Sequence, residues 1–306
     1  MTMVRKIQYV IGQEEDGLRI RQVLQRKGYS RQNMIELKKV PDCVLLDSRP
    51  KYYPERVHAG QVLTILIREE KSSDILPVEL PFGILYEDKD ILVVNKPAGM
   101  PAHPSARNTD NTLANALAFY YGRQGRPFVF RCCNRLDRDT SGVTVIAKHH
   151  VSASILSDMS IRHEIWKEYN AIVKGQVRPS SGTIDIPLGR KPGSIIERMP
   201  DPEHGERAVT HYRTEQYNGE YTLLSLILET GRTHQIRIHL KAMGFPLIGD
   251  YLYNPDMERI SRQALHARRL SFHHPISKIP VSFEAPLPED MVQVLLDSDP
   301  GRIQSG

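Results

Sequence analysis

Apolar residues in GLRIRQVLQRKG fall at helical spacing: Leu18, Val23 and Leu24 share a side, and Gly28 closes the segment. Ser30 then stands as an N-cap for a second helix, RQNMIELKK, with Met34, Ile35 and Leu37 on its apolar side. Two short runs follow with strand character, CVLLD (43–47) and QVLTILI (61–67), separated by the turn-rich DSRPKYYPERVHAG. The stretch EEKSSDILPVELP is polar at first and then carries Pro77 and Pro81, so it reads as a linker with a boundary between residues 75 and 82.

Beyond that boundary the pattern predicts strands at ILVVNK (91–96), VTVIAK (143–148), YNAIVKG (169–175), YTLLSLIL (221–228) and QIRIHL (235–240). Helices are predicted at NTLANALAFYY (111–121) and SASILSDMSI (152–161). Most of these strands are not separated by a single helix of ordinary length. The expected class is therefore α+β: a mixed, mostly antiparallel sheet with flanking helices, preceded by a small α+β unit. No internal repeat or low-complexity segment is visible, and the tail SDPGRIQSG is expected to be loose.

Composition narrows the class. The chain has 306 residues, enough for two domains, with 40% hydrophobic and 25% charged residues, ordinary for a globular protein. No apolar run approaches the ~18 residues of a membrane span, and the first residues lack the apolar core of a signal peptide. Three cysteines, two of them adjacent (Cys132 and Cys133), make neither a disulfide framework nor a zinc pair. Cytoplasmic residence follows as the expectation.

The net charge is +5 and the pI about 9.0. Arg19, Arg21, Arg26, Lys27, Arg31, Lys38 and Lys39 lie within residues 17–39 beside the single acid Glu36, so the rest of the chain is close to neutral. Such a cluster is either a solvated helical face or a patch that tracks phosphates.

Nucleotide-binding glycine loops, the H-E-x-x-H pattern and the G-x-S-x-G elbow are all absent from the sequence. No metal site is expected, because the paired histidines 149–150 and 273–274 are neighbours rather than spaced ligands. What remains is carboxylate, tyrosine, arginine and histidine chemistry without a cofactor.

The stretch RCCNRLDRDTSGVTVIAKHH (131–150) places Asp137 between Arg135 and Arg138 where a strand begins. Taken alone, an aspartate beside arginines is more often a structural ion pair than a catalyst. An Asp held ionised by an Arg is nevertheless a sound nucleophile or base. A second stretch, LETGRTHQIRIHL (228–240), packs Arg232, His234, Gln235, Arg237 and His239 together. As a strand it would put Gln235, Arg237 and His239 on one face, as a site wall or an exposed sheet face. In KEYNAIVKG, Tyr169 opens a predicted strand.

Together these residues resemble the pseudouridine synthases of the ribosomal large-subunit type. That family's R-L-D-x-x-T-S-G matches Arg135 to Gly142, its T-G-R-[ST]-H-Q-[IL]-R-x-H matches Thr230 to His239, and its K-x-Y-x-A-x-V-x-G matches Lys167 to Gly175. N-K-P-x-G-x-x-x-H-P matches Asn95 to Pro104, while GDYLY (249–253) and LHARRLSFHHPIS (265–277) also fit. The first 70 residues resemble, less closely, the small RNA-binding domain named after ribosomal protein S-four. Asp47-Ser48 replaces its usual Asn-Gly turn, and Gly60-Gln61 its usual Gly-Asp.

The resemblance implies a small basic RNA-binding domain over 1–75 and a catalytic domain over 82–298 that isomerises uridine in RNA without cofactor or metal. Asp137 is implied as the essential group, as nucleophile at the sugar or as base for its neighbouring proton. Tyr169 is implied to stack on the uracil and to take the ring-carbon proton. Arg237 is implied to pair with the carboxylate, and Arg135 to fill the space a flipped uridine leaves. The seven cations of residues 17–39 are implied RNA contacts. Asn134 departs from the family's usual His and cannot titrate near neutral pH. The implied substrate is ribosomal RNA, or transfer RNA, handled by a monomer. The competing reading is an RNA-binding protein of the same fold that has lost catalysis.

Overall fold

A computed structural model describes residues 3–69, 75–106 and 108–296. The predicted tail and part of the predicted linker (70–74) lie outside the described residues. The first unit comprises β1 (Met3–Val10), α1 (Ile20–Arg26), α2 (Arg31–Lys38), β2 (Val44–Leu46), β3 (Arg49–Pro50) and β4 (Val62–Glu69). Its four strands form a sheet in the order β1-β4-β2-β3, antiparallel throughout. Ser30 caps α2 as expected: its Oγ accepts from the Asn33 N–H at 3.1 Å, and the Asn33 side chain accepts from the Ser30 N–H at 3.1 Å. Met34 and Leu37 are buried, whereas Ile35 is 41% exposed and does not join their face.

The remaining elements are β5 (Gly83–Glu87), β6 (Ile91–Lys96), α3 (Leu113–Arg123), β7 (Ser141–Ala147), α4 (His150–Ile161), β8 (Trp166–Lys174) and β9 (Ser181–Asp185). They continue with β10 (Leu188–Arg190), β11 (Arg198–Pro200), β12 (Val209–Tyr217), β13 (Tyr221–Leu228), α5 (Gln235–Ala242), β14 (Leu265–His273), β15 (Pro280–Glu284) and α6 (Glu289–Leu296). A nine-stranded sheet runs β5-β6-β7-β14-β8-β13-β12-β9, with β15 on β14 and a separate β10-β11 pair. Only β7 and β14 run parallel, joined through Ser141–His266 and Gly142–Ala267. The class is the expected mixed, mostly antiparallel α+β.

That short parallel contact explains the S-G of residues 141–142. Gly142 has φ +117°, and a Cβ there would overlap the Ala267 backbone, so glycine alone lets β14 pass against the strand that follows Asp137.

One prediction is corrected outright. QIRIHL is not a strand but the helix α5, and all six of its residues are buried. Its strict alternation imitates a half-exposed strand, yet each polar member has a specific internal partner. Polarity here reports pairing rather than exposure.

The boundary between the sheets is a linker in sequence but not a gap in packing. One apolar cluster joins Ile7, Ile65 and Ile67 to Val93, Val143 and Ile155. Around it Arg5 pairs with Asp90 at 2.8 Å, Arg131 with Glu69 at 2.8 Å, and Asn33 contacts His150 at 3.2 Å. The first unit is thereby seated on the β6–β7–α4 side of the large sheet.

Candidate active site

Asp137 lies in a turn four residues before β7, where its carbonyl accepts from the Thr140 N–H at 3.1 Å. Two buried cations hold that turn from beneath. Lys96, fully buried at the end of β6, donates to the carbonyls of Pro97, Met100 and Arg138 at 2.9, 2.8 and 3.0 Å. Burial pulls its ammonium down to about 7, against the opposing charges of Asp139 and Asp137. Arg262 Nη1 lies 3.4 Å from the Asp139 carbonyl, and its guanidinium is clamped by Asp290 of α6 at 2.6 and 2.8 Å.

From the other side comes α5. Positions 235 and 239 are one helical turn apart and share a side; position 237 is about 200° away from 235 at roughly 100° per residue. Gln235 accordingly donates to the Val209 carbonyl and to Thr210 Oγ1, both at 2.9 Å, and His239 Nδ1 meets the same Thr210 Oγ1 at 2.9 Å. Those two side chains pin the helix to β12. Of the three, Arg237 alone bonds Asp137; Gln235 borders the same cavity and His239 does not, so the three residues are not one site wall.

Arg237 bridges two carboxylates. Its Nε and Nη2 donate to Asp250 at 2.7 Å each, and its Nη1 donates to Asp137 Oδ2 at 3.0 Å. Burial alone would push the guanidinium pKa down; the hydrogen bonds and charge of Asp250, with the charge of Asp137, outweigh it and drive the value up. The Tyr253 ring covers the guanidinium at 4.9 Å. Asp250 is 1% exposed and also accepts from the Leu252 and Tyr253 N–H groups at 3.1 Å. Sequence reasoning noted GDYLY only as a family pattern and missed this second acid. A buried arginine needs more than one partial partner, and that was the available signal.

Tyr169 sits in the middle of β8, opposite Leu226 of β13 and Ala267 of β14, rather than at the strand's start. It is largely buried, and its hydroxyl makes no hydrogen bond among the described residues. Burial first, and the Asp137 charge second, push its phenol pKa up. Arg135 is exposed and lines the same cavity of about 70 Å³ as Asp137, Tyr169, His234 and Arg237. Asn134 is tied to β7, donating to the Val143 carbonyl at 2.9 Å and accepting from the Val145 N–H at 2.8 Å. That use of both amide ends is structural.

The N-terminal cations are elsewhere. Arg19, Arg21, Arg26, Arg31, Lys38 and Lys39 are exposed on or beside α1 and α2. Lys27 is half-buried, paired with buried Glu15 at 2.8 Å, and Lys39 pairs with Glu36 at 2.8 Å. On the metal question, Asp88, Asp90 and His274 bring ligand atoms within 4.8 Å of one another. Arg5 and His149 already engage Asp90 at 2.8 and 2.9 Å, so this group reads as a structural junction.

The large mixed sheet carries a carboxylate–arginine pair beside a buried tyrosine, groups capable of acid–base or nucleophilic chemistry. Comparison with known proteins makes the assignment. The family model "RNA pseudouridylate synthase" matches residues 90–242. The Bacillus subtilis protein named "Uncharacterized RNA pseudouridine synthase YjbO" is 42% identical over 237 residues, covering 77% of this chain and 83% of that one. "Ribosomal large subunit pseudouridine synthase D" of Escherichia coli O157:H7 is 38% identical, covering 82% of this chain and 79% of its own. The solved structure "Human RNA Pseudouridylate Synthase Domain Containing 4" superposes with a TM-score of 0.58 at 26% identity, over 70% of this chain and 92% of that one.

The chain belongs to the RNA pseudouridylate synthase family. It is an isomerase acting on RNA. No helix among the described residues is long and apolar enough to cross a membrane.

Proposed function

We propose that the chain isomerises uridine in large-subunit ribosomal RNA, with Asp137 as the essential group. The observation that carries this reading is the Asp137 carboxylate, paired with Arg237 at 3.0 Å in a cavity shared with Tyr169. The ribosomal assignment rests on the name of the Escherichia coli relative and on the exposed cations of α1 and α2. We place the enzyme in the cytoplasm and treat it as a monomer. No observation supports the catalytically silent alternative.

In this reading the C1′–N1 bond of the target uridine breaks, the uracil turns, and C1′–C5 forms; a proton leaves C5 and N1 takes one up. Arg237 holds the carboxylate, which attacks C1′ or takes the neighbouring sugar proton. Tyr169 provides an aromatic face. Its phenol is neutral while Asp137 is charged, so it is a poor base at the outset. An ester at Asp137 would remove that charge and make the phenol easier to ionise, which it must do, giving its proton to solvent, before it can take the C5 proton. The cavity of about 70 Å³ is far smaller than the ~300 Å³ at the low end of ligand pockets. Entry of a base therefore requires lining side chains to swing out. Arg135 is exposed and can do so, filling the vacated stack; Arg232, also exposed, would first have to release its ion pair with Glu206 and its bond to the Arg207 carbonyl.

The test is a map of pseudouridines in ribosomal and transfer RNA from cells with the protein, without it, and with Asp137→Ala. A ribosomal site lost in both altered strains is expected. A site that survives Asp137→Ala but not deletion would overturn the residue assignment. Loss confined to transfer RNA would overturn the substrate.

A further inference from the structure

His234 precedes α5 and adopts a left-handed backbone, φ +58° and ψ 19°. That conformation is uncommon for a residue with a Cβ and costs on the order of 1 kcal/mol or more. Its side chain makes no capping hydrogen bond to the helix, so capping does not account for the strain. The imidazole instead reaches across the site: Nδ1 is 2.9 Å from the Tyr253 hydroxyl, and Nε2 is 3.7 Å from Asp137 Oδ2.

The surrounding bonds point to one tautomer. The Arg198 backbone N–H can only donate, and it does so to the Tyr253 oxygen at 2.9 Å. The Tyr253 hydroxyl still has its own proton to place, and His234 Nδ1 is the acceptor within reach among the described residues. A neutral imidazole that accepts at Nδ1 carries its proton on Nε2. That N–H is on the Asp137 side. Burial, the largest influence, lowers the imidazole pKa; the Asp137 charge opposes and the Arg237 charge assists.

We infer that His234 is a positioning residue for the reaction: held by Tyr253, it presents Nε2–H as a second donor to the Asp137 carboxylate, beside Arg237. This rests on the reading of Asp137 as the reacting group. Both donors address Oδ2, which leaves Oδ1 for the uridine. At 3.7 Å the contact is longer than a hydrogen bond; contacts of this kind commonly tighten when substrate binds. The groups facing His234 are Asp137 on the catalytic turn, Arg237 on α5, Asp250 and Tyr253 on the following loop, and Arg198 on β11.

The experiment measures kcat, KM and the pH dependence of kcat on an RNA substrate. The variants are His234→Asn, His234→Gln, His234→Gly and Tyr253→Phe, with Asp137→Asn alongside. Asparagine tolerates the left-handed backbone but falls short of the carboxylate, whereas the longer glutamine amide replaces the Nε2 donor. His234→Asn should lower kcat about 10- to 100-fold with KM little changed. It should also change the acid limb of kcat, because a donor beside the reacting carboxylate is lost. His234→Gln should restore most of the loss, and Tyr253→Phe should fall between. His234→Gly should keep thermal stability yet share the kcat defect, separating the donor from the backbone. If His234→Asn or Tyr253→Phe keeps both the wild-type kcat and the wild-type acid limb while Asp137→Asn is inactive, the inference is overturned and the site reading stands. If Asp137→Asn is active, the site reading itself fails.

Discussion

The α1–α2 surface and the Asp137 turn both depend on charge, in opposite ways. Arg19, Arg21, Arg31 and Lys38 are exposed. Water screens such charges, so each would contribute only a small, additive amount to any attraction for phosphate. Around Asp137 the charges of Lys96, Arg237 and Asp250 are buried, and each is held by partners at fixed distances. Arg237 is 2% exposed and serves two acids at once. In the proposed reading, the first surface works by charge density and tolerates single losses, and the second works by geometry and does not.

Arg237 should break the comparison most sharply. Arg237→Leu leaves Asp250 buried without its bidentate partner, a defect that typically costs about 3–5 kcal/mol. It also removes the donor on Asp137. Chemical denaturation should show that loss of stability, and kcat should fall at least about 100-fold. Arg237→Lys should recover part of the stability and little of the rate, since a point charge cannot span both carboxylates.

A second effect belongs to the same buried half. His266 lies fully buried on β14, with Nδ1 at 2.9 Å from Ser141 Oγ and Nε2 at 3.3 Å from the Ala285 carbonyl. Burial pulls its pKa to about 4, and the Arg262 charge works in the same direction. The ordinary value is near 6.5, so between pH 6.5 and 4 the unfolded chain binds a proton that the folded chain refuses. Stability from this residue is therefore lost as pH falls through that window, by about 3 kcal/mol in total. Melting temperatures for wild type and His266→Gln across the window should show a shallower decline in the variant.

The smallest effects should come from the exposed surface. The combined change Arg19→Ala, Arg21→Ala, Arg31→Ala and Lys38→Ala should weaken RNA binding about 10- to 100-fold at low salt. The slope of log affinity against log salt should fall by about 3, with kcat at saturating RNA unchanged. Lys39→Ala alone should be nearly silent, because that ammonium is already paired with Glu36. A salt slope unmoved by the combined change would remove this surface from the RNA path.

Much of this arrangement was legible from residue order. ILVVNK and YTLLSLIL are strands over their whole predicted lengths, and Ser30 caps α2, because those signals are local. The motif residues Arg135, Asp137, Tyr169 and Arg237 were singled out by type and spacing, and the fold gathers all four around one cavity. The alternation in QIRIHL was misleading because burial, which the pattern was taken to report, is uniform along that helix.

The chain's order of apolar and polar residues determined the α+β class, most of the elements and the identity of the family. Only the tertiary structure decided that Arg237 leaves Gln235 and His239 on the other side of α5. It alone brought Asp250 to Arg237 and His234 to the carboxylate, and seated the basic unit on the large sheet through Arg5–Asp90 and Arg131–Glu69. The reason is physical. Local propensity acts over a few residues, whereas the electrostatic state of Asp137 depends on Arg237, 100 positions away in the chain and 3.0 Å away in space.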